Sequence, residues 1–90
     1  DRMMVLGKMN ASERVAKFIL NISDQRLRIG WQNNPISIPM TRQDIADYLG
    51  LTLETISREF TKLKAANTIK FLTPKQIYIT DRDKLSSVCK

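Results

Sequence analysis

Glu54, Ser57 and Arg58 stand at i, i+3 and i+4 in "LTLETISREF", a spacing that brings a carboxylate, a hydroxyl and a guanidinium onto one face of a helix. These three heads differ in donor and acceptor character. Arg can reach guanine O6 and N7 with two hydrogen bonds, Glu can accept from cytosine N4, and Ser can bond a base edge or contact a thymine. The trio could therefore read the edges of base pairs. A polar face is also what any surface helix turns to water, so the same residues are equally compatible with solvation alone. Catalysis has less to draw on: the chain has no His, a single cysteine at Cys89 and no Gly-rich phosphate loop. No general base for a Ser or Cys hydrolase, no Cys/His zinc cluster and no disulfide within the chain can be assembled from that set. An enzyme is the reading with least support, and Cys89 reads as an inert, partly packed thiol.

Reading heads need a helix anchored on its other side. With Glu54 at zero and about 100° per residue, Arg58 falls at about 40°, Thr61 at about 340°, Ser57 at about 300° and Lys62 at about 80°. Leu53, Ile56, Phe60 and Leu63 gather between about 180° and about 260°, so the segment from about Leu53 to Ala66 is two-faced. Upstream, Thr41 and Asp44 form a Thr-x-x-Asp capping box, and Ile45, Ala46 and Leu49 make one apolar stripe. Gly50 falls where a left-handed residue commonly ends a helix, and Thr52 caps the next one. Two helices joined by a short turn containing Gly make a helix-turn-helix. In that motif the first turns of the second helix enter the major groove, which is where the trio lies. Glu54 would repel a phosphate backbone, which favours base reading; it also suits the positive end of the helix without any ligand. Phosphate contacts need only donors placed around the groove. Thr52, Thr55, Lys62, Lys75 and Gln76 are candidates, each equally readable as solvated surface.

The flanking segments supply the frame. Residues 1–9, "DRMMVLGKM", carry Met3, Leu6 and Met9 at three-residue spacing, either a frayed flank or the end of a helix that pairs with a second chain. Asn10 with Glu13 predicts an N-cap, and Val15, Phe18, Ile19 and Ile22 predict a core-facing helix from about Ala11 to Ser23. Between Leu27 and Pro39, β-prone pieces around Ile29–Gln32 and Ile36–Ile38 with "NNP" between them predict a small hairpin, with Trp31 as a packing residue. Ile69 and Phe71, then Ile77 and Ile79, alternate with polar residues around "TPKQ", which predicts a second hairpin. Thr80 to Cys89 reads as a closing helix with Thr80 and Asp83 as its capping box. The expected class is mainly α with small β-hairpins, an α+β winged helix-turn-helix over residues 10–90.

Ninety residues suffice for one such domain, and 42% hydrophobic content is ordinary for a packed chain. Fifteen Lys and Arg against nine Asp and Glu leave a formal charge of +6, which favours a polyanionic partner. No apolar run approaches the roughly 18 residues of a membrane span, and no signal peptide opens the chain, so a cytoplasmic location with no membrane partner is expected. The chain opens on Asp1 and reads as a fragment of a longer protein.

"TRQDIADYLGLTLETISREF" resembles, without a gap, the helix-turn-helix signature of the DNA-binding domain in the Crp/Fnr family of bacterial transcription regulators. "DIADYLGLT" with "ETISR" is most similar to the Fnr and FixK branches. The resemblance covers essentially the whole chain. It implies sequence-specific double-stranded DNA binding, with Glu54, Ser57 and Arg58 matching the residues that read a TTGAT-type half-site of a palindrome. It implies phosphate contacts for Thr41, Gln43, Thr52 and Thr55, and places Lys75 and Gln76 at the wing tip. Leu53 stands where the cyclic-AMP-responsive branch carries a base-reading Arg, which argues against that branch's half-site. The family further implies a homodimer in the full-length protein, RNA polymerase as a partner, and an N-terminal sensor domain. Its effector could be a cyclic nucleotide, an iron–sulfur cluster, haem or nothing, and no cofactor is expected in residues 1–90. A winged helix that binds proteins and not DNA remains the alternative.

Overall fold

The structure is a computed structural model that describes residues 9–89, so the helix end expected over residues 1–9 lies, apart from Met9, outside the described residues. The chain order is α1 (Ala11–Arg28), β1 (Ile36–Ser37), α2 (Arg42–Leu49), α3 (Leu53–Ala65), β2 (Ile69–Thr73), β3 (Gln76–Ile79) and α4 (Arg82–Val88). Four helices around a small antiparallel sheet give the expected α+β winged helix-turn-helix.

The helix starts follow their capping side chains. Asn10 accepts from the Glu13 amide at 2.9 Å, while its own amide donates to Glu13 Oε1 at 2.8 Å, so two donors orphaned at the start of α1 are satisfied reciprocally. Thr41 and Asp44 do the same for α2, at 3.1 and 3.3 Å. For α4 the expected box is replaced: the cap is Asp81, which accepts from the Lys84 amide at 3.0 Å, one residue later than Thr80. A carboxylate in the first position outranks a hydroxyl one residue earlier, because it accepts the amide and complements the helix end electrostatically.

Three helices stop by one device. After α1, the Trp31 amide donates to Arg26 O at 2.8 Å and the Gly30 amide to Leu27 O at 3.2 Å, with Gly30 at φ 77°. After α2, Leu51 donates to Ala46 O with Gly50 at φ 70°; after α3, Thr68 donates to Leu63 O with Asn67 at φ 59°. Each places a left-handed residue just past the helix, where only Gly or Asn is cheap.

The hairpin expected between Leu27 and Pro39 is absent. α1 runs through Arg28, five residues beyond the predicted end at Ser23, and Ile29–Gln32 forms its cap instead of a strand. The lone strand of that region, β1, pairs with β3 far along the chain, Ile36 opposite Ile77 and Ser37 opposite Gln76. Trp31 is 64% exposed and does not pack in the core; Arg26 lies over its ring at 5.9 Å. β3 takes the centre of the sheet, in the order β1-β3-β2, with Ile69 opposite Ile79 and a bulge between Phe71 and Thr73. Beyond β1, the Asn34 carboxamide extends the ladder: Ile79 N–H donates to its oxygen at 2.7 Å and its nitrogen donates to Ile79 O at 3.1 Å.

The core gathers Val15, Phe18 and Ile19 of α1, Ile45 and Leu49 of α2, Ile56, Phe60 and Leu63 of α3, and the inward residues Ile69, Ile77 and Ile79 of the sheet. Leu85 closes it from α4. These residues come from every helix and both long strands, so α3 rests on the whole domain and not on α2 alone.

Candidate nucleic-acid interface

The anchoring of α3 leaves its opposite face in solvent. Ile56 is fully buried and Phe60 nearly so, with Phe71 of the wing set edge-on to Phe60 at 5.5 Å. Glu54, Ser57, Arg58 and Thr61 are all exposed. The one departure from the helical wheel is Leu53, grouped with the apolar side yet 45% exposed, because it sits at the helix start before the core closes over that side.

The first turns of α3 are organised by hydroxyls. The Thr52 side chain caps the helix by accepting from the Thr55 amide at 3.1 Å, and its own hydroxyl donates to Thr55 Oγ1 at 2.9 Å. Thr55 Oγ1 also accepts from Arg58 Nη2 at 3.3 Å. Arg58 is thereby drawn toward the N-terminal end of α3, beside Glu54 and Ser57, with most of its five N–H donors still available. One turn on, the Thr61 hydroxyl donates to Ser57 O at 2.9 Å. The Glu54 side chain has no hydrogen bond or ion pair among the described residues.

The other candidate residues surround this face on separate elements. Thr41 caps α2 and Gln43 lies in its first turn, its amide donating to Asp47 Oδ1 at 2.9 Å. Lys75 lies with Pro74 in the turn of the β2–β3 wing and Gln76 opens β3: Lys75 is exposed, its carbonyl accepts from the Ile38 amide at 2.8 Å, and Gln76 Nε2 donates to Ser37 Oγ at 3.5 Å. Lys62 differs, since its ammonium is engaged by Glu59 at 3.3 Å and donates to Ser12 at 3.4 Å.

Sequence reasoning passed over three features. Glu59 is 6% exposed and accepts a 2.6 Å hydrogen bond from Ser12, tying α3 to the first turn of α1. Its position on the wheel, about 140° from Glu54, lies between the wet and apolar faces and signals neither. Arg42 opens α2 yet lies over the rings of Phe60 and Phe71, at 4.6 and 4.9 Å. Burial holds its pKa below the ordinary value, and the ring faces offset a cation at the unfavourable end of a helix. The third is a groove of about 720 Å³ beside the wing, lined by Arg26, Trp31, Ser37 and Lys75 among others. Clues to it were the basic last turn "RLR" and Gly30 as a stop signal.

Among the described residues no helix is long and apolar enough to cross a membrane, and no group of acids, Cys or His could hold a metal ion. Against known proteins, the Crp-like helix-turn-helix domain matches residues 13–88. The nitrogen fixation regulation protein FixK of Bradyrhizobium diazoefficiens is 46% identical over 72 residues, covering 80% of this chain and 30% of that protein. The transcriptional activatory protein AadR of Rhodopseudomonas palustris is 40% identical over 88 residues, covering 98% of this chain and 36% of that one. The solved structure of FixK2 from Bradyrhizobium japonicum superposes with a TM-score of 0.84 at 40% identity, over 96% of this chain and 41% of its own. The chain spans about a third of the length of these relatives, 30% and 36% of the two regulators. By its matched domain, the order of its elements and these relatives, which are named as regulators and not as enzymes, the chain belongs to the Crp/Fnr family of DNA-binding transcription regulators, as a Crp-like helix-turn-helix domain.

Proposed function

We propose that this domain recognises a specific duplex sequence with α3 in the major groove, reading a TTGAT-like half-site of a palindrome. Arg58 donates to guanine O6 and N7, Glu54 accepts from the cytosine N4 of the opposite strand, and Ser57 contacts thymine. Thr41 and Gln43 at the start of α2, Thr52 and Thr55 at the start of α3, and Lys62, Lys75 and Gln76 around them contact phosphates and fix the register. A palindrome calls for two copies, so the full-length regulator acts as a cytoplasmic homodimer, with RNA polymerase as its downstream partner. The observation that carries this reading is the exposed Glu54–Ser57–Arg58 face beginning one residue after the Thr52 cap, with Arg58 held forward by Thr55.

Fluorescence anisotropy with a TTGAT…ATCAA duplex and a scrambled duplex over a salt series tests it. The palindrome binds tighter at every salt concentration, and both affinities fall as salt rises. Equal affinity for the two would sink sequence reading. Absence of binding to either at low salt would leave a winged helix that recognises protein.

A further inference from the structure

The groove beside the wing has the chemistry of a backbone-binding surface, and it adjoins the reading face. Trp31 is 64% exposed, with the Arg26 guanidinium 5.9 Å from its ring centroid, and Lys75 lines the same groove. Arg26 donates one N–H to Ser37 O at 2.9 Å, which fixes the guanidinium at the rim and leaves other donors for a ligand. None of the residues lining it is acidic, and the nearest acid on α1, Asp24, is paired with Arg82 of α4. A large ring left in water in a groove lined by two cations and no acid suits a ligand that is anionic and carries an apolar ring of its own. Lys75 lines a second, narrower cleft that holds Arg42, next to the Thr41 and Gln43 end of α2. A run of positive charge therefore passes from α2 through the wing tip to Arg26, again with no acidic side chain among its lining residues.

We propose that this groove binds the sugar–phosphate backbone of duplex DNA flanking the half-site: Arg26 and Lys75 meet successive phosphates, and Trp31 packs on the deoxyribose between them. The inference rests on the DNA-binding reading above and extends its footprint outward. It gives the wing a purpose beyond steadying α3, since the domain would grip DNA on both sides of Lys75.

Trp31 is the single tryptophan of the chain, so its emission reports on the groove alone. Two duplexes carry the same palindrome, one ending at its boundaries and one extended by about 8 base pairs on each side. The extended duplex is expected to bind several-fold tighter and to shift or quench Trp31 emission, while the short duplex leaves the emission unchanged. One additional phosphate contact, at Arg26, steepens the dependence of log K on log salt by about 0.9. Arg26→Ala removes that increment and leaves the preference for palindrome over scramble intact, whereas Lys75→Ala weakens the short and the extended duplex alike. Because Arg26 also holds the Ser37 carbonyl, Gln32→Glu serves as a second variant: it places a carboxylate in the groove at an exposed position, and it should abolish the flank gain without lowering Tm. Equal affinity and equal emission for the two duplexes would overturn the proposal while leaving half-site reading in place. A Trp31 response to poly-glutamate but not to the extended duplex would assign the groove to an acidic protein segment and overturn it too. No binding to either duplex would remove the DNA-binding reading on which it rests.

Discussion

Replacing Glu54 with Ala separates base reading from helix stabilisation, because the structure gives this side chain nothing else to do. Glu54 is exposed, lies in the first turn of α3 and has no partner among the described residues. Its contribution to folding is then the attraction of a carboxylate for the positive end of a helix, about 0.3 to 1 kcal/mol at an exposed site. The better helix propensity of Ala offsets part of that. At about 4 to 8 °C per kcal/mol for a domain of this size, Tm should fall by no more than about 8 °C. The loss of a base contact is larger: about 1 to 3 kcal/mol, or about 5- to 150-fold, in discrimination at the base pair it reads. The assay measures anisotropy on the palindrome and on duplexes changed at single pairs, with thermal unfolding by circular dichroism in parallel. Preference at one pair should collapse while binding to the scrambled duplex stays constant or tightens, since a charge that repels phosphate has been removed. A lower Tm with every single-pair preference unchanged would refute the reasoning and return Glu54 to a capping role.

Thr55→Val removes the hydroxyl that receives Arg58 together with a proposed phosphate contact; palindrome affinity should drop about 3- to 10-fold by anisotropy, within the range of a lost hydrogen bond, and scrambled-duplex affinity should fall less, by the phosphate contact alone. Gly50→Ala forces a Cβ onto a residue at φ 70° and ψ 33°, where its nearest new neighbour is Arg14 Nη1 at an ordinary 3.5 Å; the cost is therefore backbone strain of about 1 to 2 kcal/mol, seen as a Tm lower by about 4 to 16 °C. Phe60→Ala opens a cavity under Arg42 and beside Phe71, and a loss of about 3 to 5 kcal/mol should be visible in urea melts and should take the domain close to unfolding. Burial pushes the Cys89 thiol up, with Lys17 pulling it partly back. A raised folded pKa means that the folded state favours the protonated thiol, so this small stabilisation is present at neutral pH and lost as pH rises through the thiol range. Iodoacetamide at pH 8 should accordingly label Cys89 more slowly in the folded domain than in urea, and equal rates would contradict it.

The helix-turn-helix and the wing were legible because local chemistry determines them. Asn10 with Glu13, Thr41 with Asp44, Gly50 and Thr52 each mark a helix end through hydrogen bonds made within a few residues, and "TPKQ" marks a turn between alternating strands. What escaped depends on distant partners. Ile29–Gln32 has strand-forming residues but no strand to pair with, so α1 continues to Arg28 and ends at Gly30, while Ile36 finds its partner at Ile77. The burial of Glu59 requires Ser12 from the other end of the chain, and the groove at Trp31 requires the wing to fold back toward α1. The face formed by Glu54, Ser57 and Arg58 was readable from spacing; the hydroxyl relay that orients Arg58 required the rotamers of Thr52 and Thr55.

The Asn34 carboxamide has a consequence for solubility. β1 is only two residues long, so the stretch of β3 beyond it would present a free N–H and a free C=O at Ile79 as a template for any extended chain nearby. Unpaired strand edges are where sheet proteins join end to end and aggregate. Asn34 occupies both groups with one side chain, imitating a backbone amide without offering a strand that could continue the ladder. A template for strand addition is thereby removed from this side of the sheet.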